Sequence, residues 1–332
     1  MSEALPAVSR PRGWRQALRD AVRSPAELAA LLDLPPAVVA RAAAPDFPLL
    51  VPRSFVARMR KGDPDDPLLR QVLPTAAESE RTPGYVPDPV GEHGIGAGGV
   101  LKKYRHRALL IATAACPVHC RYCFRRAFPY SSQLASRADF GPAVAALARL
   151  DDVREVILSG GDPLSLDNAR LERLVARLEA LPSVRTVRIH TRFPVMLPER
   201  VDAGLLALLR RTRFAKVVVL HCNHPNELDD SVAEAAAALR QTGAILLNQS
   251  VLLRGVNDDA DALARLSERL FQAGVLPYYL HLLDPVQGAA HFDVPAERGR
   301  ELVAELRARL PGYLVPRLVR EDAGRLSKTL VA

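Results

Sequence analysis

From Ala108 onward the chain alternates short, β-branched apolar runs with longer segments of helical period, six times over. No other feature restricts the fold as much. The runs are Ala108–Thr113, Glu155–Ser159, Thr186–Thr191, Val217–Cys222, Ala244–Leu252 and Tyr278–Leu283. The helical segments lie near Gly141–Leu150, Asp167–Leu181, Pro198–Arg211, Glu227–Thr242, Asp259–Ala273 and Pro295–Leu310. Apolar runs without polar alternation are buried on both faces, which calls for a parallel sheet covered by helices. The predicted class is therefore α/β, either a partial TIM-like barrel or an open doubly wound sheet, with chemistry at the strand C-termini. The first hundred residues lack this rhythm: Trp14–Leu32 reads as helical, Pro35–Pro89 is rich in Pro, Asp and Arg, and Gly94–Gly99 reads as a linker. The expected division is a helical N-terminal region over residues 1–100 and a barrel over 101–332.

Polar residues collect where such a fold places its site. Ser159, Gly160, Gly161 and Asp162 follow the second run, His190-Thr191-Arg192 end the third, His221 ends the fourth, Gln249 lies in the fifth and Asp284 follows the sixth. Directly after the first run come Cys116, Cys120 and Cys123, spaced Cys-x3-Cys-x2-Cys. Soft thiolates suit iron-sulfur clusters. Three of them on a four-iron cube leave one iron open to another ligand. Cys120 and Cys123 alone could form a redox pair, and His119 with the three cysteines a structural zinc knot. Cys222 reads as a packed core thiol. The Gly160-Gly161 pair permits close approach to the backbone.

Four cysteines are too few for a disulfide framework in 332 residues. No apolar run is long enough to cross a bilayer, and the N-terminus lacks a signal-peptide core, so a cytoplasmic location and no membrane partner are expected. The net charge of +8 is dispersed along helical segments, so it does not mark a nucleic-acid surface. Of 45 basic residues only Lys61, Lys102, Lys103, Lys216 and Lys328 are lysines, which makes a well-placed lysine notable.

Six stretches in matching order resemble the radical S-adenosylmethionine (SAM) lysine 2,3-aminomutases, most closely the short branch that supplies β-lysine to elongation factor P. They are Cys116–Arg126, Leu158–Pro163, Arg188–Arg200, His221–Glu227, Asn248–Asp258 and Tyr278–Phe292, within a likeness running from about Asp46 to Lys328. The resemblance implies a partial (β/α)6 radical SAM barrel and an isomerase that uses a [4Fe-4S] cluster, SAM and pyridoxal 5′-phosphate. It implies Cys116, Cys120 and Cys123 as cluster ligands. Ser159, Gly160, Gly161, Asp162, His221 and Gln249 are implied around SAM, and Lys328 as the catalytic lysine carrying pyridoxal phosphate. Arg107, with Lys103 and His281, is implied near the cofactor phosphate. For the substrate, L-lysine, it implies a bidentate grip of Arg125 on the α-carboxylate, with Asp284 and Glu321 reading the ε-ammonium.

Three departures from the longer enzymes stand out: Glu321 in place of an Asp, Asp322-Ala-Gly-Arg-Leu-Ser327 in place of a glycine run, and an end four residues after Lys328. The oligomeric state and any extension metal site of the long enzymes are accordingly not carried over. The short branch shares these departures, so the expected reaction is L-lysine to (R)-β-lysine for modification of elongation factor P, functionally linked to that factor and its ligase. A flavodoxin or ferredoxin would supply electrons. The alternatives are a metabolic lysine 2,3-aminomutase giving (S)-β-lysine and a glutamate 2,3-aminomutase, which two side-chain acids argue against. A zinc-stabilised RNA-binding protein is the non-enzymatic alternative.

Overall fold

The computed structural model describes residues 13–41, 47–93 and 98–332; most of the expected linker at 94–99 lies outside them. One sheet of nine strands runs in sequence order: β1 (Val100–Tyr104), β2 (Arg107–Thr113), β3 (Glu155–Gly160), β4 (Thr186–Thr191), β5 (Ala215–His221), β6 (Ile245–Val251), β7 (Leu276–His281), β8 (Arg317–Arg320) and β9 (Thr329–Leu330). Strands β2 to β8 are parallel, whereas β1 on β2 and β9 on β8 are antiparallel. No ladder joins β1 to β9, so the sheet curls into a barrel that stays open along one seam. The α/β barrel expectation holds. The short strands β1, β8 and β9 carry too little pattern to be read from sequence.

In the N-terminal region lie α1 (Trp14–Arg19), α2 (Pro25–Leu31), α3 (Pro36–Arg41), α4 (Arg53–Val56) and α5 (Pro67–Arg70). Around the barrel follow α6 (Gly141–Ala148), α7 (Asn168–Glu179), α8 (Phe193–Met196), α9 (Ala203–Arg211), α10 (Asp230–Arg240), α11 (Ala260–Gln272) and α12 (Ala296–Arg309). Asp167, Asp202, Asp229 and Asp259 each accept a backbone N–H at the start of α7, α9, α10 and α11, which fixes where those helices begin. Two predicted helices are broken. Trp14–Leu32 divides into α1 and α2, because Val22 pairs with Val51 in an extended bridge and Pro25 restarts the helix. Pro198–Arg211 becomes a 3-10 turn and α9, separated by the Asp202 cap. None of the described helices is long and apolar enough to cross a membrane.

One buried cluster runs from Val22, Phe55 and Leu69 through Leu110, Leu158, Ile189, Val218 and Leu246, so the N-terminal region and the barrel share a core across residue 100. Strand register decides what faces inward. Leu110, Leu158, Ile189 and Val218 pair across β2 to β5 and turn toward the helices. Because side chains alternate, the neighbouring positions line the interior: Ile111 with Ser159, His190 with Val219, His221 with Gln249, and His281 with Val319.

Candidate active site

The cysteine loop leaves β2 and is held from two sides. From the N-terminal region, His119 N–H donates to Leu50 O at 2.9 Å and Arg121 N–H to Gln71 O at 2.9 Å. From the barrel, Gly161 N–H donates to Thr113 O (2.7 Å) and Asp162 N–H to Ala115 O (2.8 Å). A Cβ on Gly160 would lie 2.5 Å from Thr113 O, and one on Gly161 would lie 2.5 Å from Ala115 O. The glycine pair is therefore demanded by the cysteine loop's own backbone, which takes the close approach that sequence reasoning gave to a ligand. Asp162 is buried and engaged: its carboxylate accepts from Leu164 N–H, Thr191 Oγ1 and Arg192 N–H, so the side chain ties this turn to β4. Burial pushes it up to about 6.

Beneath the loop, Arg192 donates to Cys120 Sγ at 2.7 Å, to Gln71 Oε1 at 2.6 Å and to Glu227 Oε2 at 3.3 Å. Tyr122 OH lies 2.9 Å from His221 Nε2 and 2.6 Å from Asn223 Nδ2. Burial pushes the Cys123 thiol up to about 11, with Cys120 adding to it, and pushes Cys116 well above its ordinary value. Three ionised thiolates cannot crowd together there without compensating positive charge, and iron in a cluster supplies it. The donor set thus fits an iron-sulfur cluster. His119 is turned away: its ring stacks on Phe47 at 4.9 Å, and Nδ1 lies 2.8 Å from Pro48 O. Among the described residues no three His, Cys, Asp or Glu side chains, the loop cysteines included, are drawn about one point closely enough to hold a single metal ion, so the fit to a cluster rests on the chemistry and burial of the three thiols. Cys222 is fully buried with its Sγ on His224 O, as expected of a core thiol.

Across the mouth, Lys328 stands opposite Glu321, because the β8–β9 register pairs Arg320 with Thr329 and carries one step further. Lys328 Nζ is 2.6 Å from Glu321 Oε2, and Tyr104 OH donates to Glu321 Oε1 at 2.6 Å. Asp284 faces this pair, and its carboxylate accepts no hydrogen bond from a described residue; burial pushes it up to about 7, against the pull of Lys328. Burial also holds His190 and His281 well below the usual imidazole range, so both are neutral. Their Nε2 atoms are buried with no partner among the described residues. Arg107 lies over the Tyr104 ring and has no carboxylate partner there. Orphaned imidazoles and an unpaired guanidinium inside a barrel suit polar, anionic ligands.

Two expectations change. Arg125 does not present an open fork: Nε and Nη2 grip Glu92 at 2.7 and 3.1 Å, and Nη1 reaches Ser159 Oγ at 3.0 Å and Gly160 O at 3.4 Å. Lys103, placed near a phosphate by resemblance, instead bridges Glu92 (3.1 Å) and Glu321 (3.7 Å) and donates to Val90 O. Sequence reasoning did not single out Glu92, Tyr104, Tyr122 or Gln71, and it named His190 and Arg192 only as strand-end polar residues. The scarcity of lysine and the family resemblance both pointed toward this corner, through Lys103.

A family model described as the Radical SAM superfamily matches residues 110–266, which takes in the three loop cysteines. Membership of that superfamily implies a [4Fe-4S] cluster and SAM. An L-lysine 2,3-aminomutase of Escherichia coli (strain K12) is 46% identical over 95% of this chain and 93% of its own. One from Haemophilus influenzae is 43% identical over 98% of both. One from Clostridium subterminale is 35% identical over 83% of this chain and 67% of its own. With the cysteine loop, the inward polar ring and these relatives together, the chain belongs to the radical SAM lysine 2,3-aminomutase family.

Proposed function

We propose that the protein moves the α-amino group of L-lysine to C3, forming (R)-β-lysine that serves the modification of elongation factor P. The observation that carries the substrate assignment is Asp284, a carboxyl without a hydrogen-bond partner beside Glu321 and Lys328. Two acids at one end of the mouth receive an ammonium, and a side-chain carboxylate such as that of glutamate would be repelled there.

Cys116, Cys120 and Cys123 would hold the cluster. The Ser159–Asp162 turn, His221 and Gln249 would surround SAM, and Lys328 would carry pyridoxal phosphate with Arg107 toward its phosphate. When bound, the cluster and SAM supply one-electron chemistry that activates a substrate C–H bond, and pyridoxal phosphate supplies a conjugated ring that delocalises unpaired electron density. The chain's own residues do the rest. Arg125 neutralises the substrate carboxylate, and Asp284 and Glu321 hold the far ammonium, so the carbon chain lies stretched between two fixed points. Glu321 and Tyr104 orient the Lys328 amine. Neutral His190 and His281 offer hydrogen bonds without adding cations beside Lys328. The segment from Val86 to Glu92 is tied at one end to Val286 and at the other to Lys103 of β1, and would cover the reacting carbons.

The test is an anaerobic assay of reconstituted protein with SAM, pyridoxal phosphate, dithionite and L-lysine, with the lysine isomers resolved by chiral chromatography. (R)-β-lysine supports the full reading, and (S)-β-lysine moves it to a metabolic aminomutase. SAM cleavage with no lysine isomer keeps the radical chemistry and overturns the substrate.

A further inference from the structure

Arg125 can donate five N–H bonds. Four directions are taken within the protein: two by Glu92, one by Ser159 Oγ and one by Gly160 O. One Nη2 hydrogen is left. The Ser159 hydroxyl accepts from Arg125, and its own hydrogen finds no acceptor among the described residues.

Glu92 is also not free to swing aside. Asp88 accepts the backbone N–H groups of Glu92 (2.8 Å) and His93 (2.7 Å). Val86 is pinned on both sides, donating to Pro285 O at 2.9 Å and accepting from Gln287 N–H at 3.1 Å. Lys103 neutralises the same carboxylate at 3.1 Å. Burial alone would raise the Glu92 carboxyl, yet Arg125 and Lys103 hold it down at about 2, so it stays charged.

We propose that Glu92 is a positioning residue for recognition of the substrate's α-carboxylate. It clamps the Nε–Nη2 edge of Arg125 and orients the guanidinium, so that the carboxylate is received by the remaining Nη2 hydrogen and the Ser159 hydroxyl rather than by a symmetric fork. This rests on the lysine 2,3-aminomutase reading above.

The experiment titrates cofactor-loaded holoprotein, without reductant, with L-lysine and separately with cadaverine, which keeps the chain and ammonium but lacks the carboxylate. Binding is followed by the visible absorbance of the pyridoxal group and by calorimetry. For Glu92→Gln, lysine affinity is expected to fall about tenfold, the scale of one weakened charge-assisted hydrogen bond, with cadaverine affinity nearly unchanged. Glu92→Asp, which keeps the charge on a shorter arm, should fall between wild type and Glu92→Gln, and it serves alone if Glu92→Gln does not fold. Arg125→Lys combined with Glu92→Gln should bind lysine no worse than Arg125→Lys, because both act on one contact. Equal losses for lysine and cadaverine would reduce Glu92 to a structural acid, and tighter lysine binding would make it a competitor for the Arg125 site; either overturns the proposal. Wild-type holoprotein that binds no lysine overturns the functional reading instead, so the two failures are distinguishable.

Discussion

Two buried polar regions flank the barrel mouth and follow opposite rules. On the cysteine side, Glu78 takes Arg121 and Arg126 at once (2.8 and 2.7 Å), and Gln71, Tyr122, Arg192, Asn223 and Glu227 bond to one another almost completely. On the seam side the charges run in a chain, Arg125–Glu92–Lys103–Glu321–Lys328, and end beside the Nε2 atoms of His190 and His281 and the Asp284 carboxyl, none of which has a hydrogen-bond partner among the described residues. A nearly closed network fixes geometry, since little beyond the Arg192 Nε is left unsatisfied; an incomplete one keeps interaction energy for a ligand. The first region holds a loop still, and the second waits for something to complete it.

The sharpest way to break this contrast is to remove one group from each side. Cys120→Ala should lose nearly all reconstituted iron and all β-lysine formation, whereas Lys328→Ala should keep its iron and lose product with the pyridoxal absorbance. Iron and sulfide analysis beside the lysine assay checks both. If Lys328→Ala loses iron as well, the regions are not independent.

Next in size is stability. Glu78→Ala leaves two buried guanidinium groups without their acid and should cost about 3–5 kcal/mol in chemical denaturation. Glu321→Gln on the seam side should leave the denaturation midpoint nearly unchanged while weakening lysine binding. A third effect tests the glycine pair. Gly161→Ala puts a Cβ 2.5 Å from Ala115 O, so the cysteine loop must shift. The expected cost is about 1–3 kcal/mol with reduced cluster retention, read from melting curves and the cluster's visible absorbance.

The smallest effect is a pH dependence. With Asp284 pushed from 3.8 up to about 7, the folded protein keeps a proton that the unfolded chain releases. Its stabilising share is full below pH 4 and fades as pH rises through 7, and that slope should be absent in Asp284→Asn. Binding runs the other way: an ammonium needs the carboxylate, so lysine affinity should climb up to about tenfold per unit as pH approaches 7 from below. Asp284→Asn should flatten this rise; a rise that survives the substitution removes Asp284 from the ammonium site.

How much of this was legible in the sequence follows from the range of each interaction. The barrel and the cysteine loop rest on local pattern: strand and helix periods and a three-cysteine spacing. Lys328 and Glu321 are seven residues apart, yet only the antiparallel β8–β9 register sets them face to face. Glu92 carries no signal at all, since its meaning comes from Arg125, thirty-three positions away. The same holds for Gly160 and Gly161, where sequence showed that a close approach was needed and the fold decided that the neighbour was backbone. The sequence by itself determined the architecture, the three-cysteine motif and the family. Tertiary structure alone decided which charges meet, because ion pairing and close contact depend on distance in space, and strand register and loop closure set that distance between residues far apart in the chain.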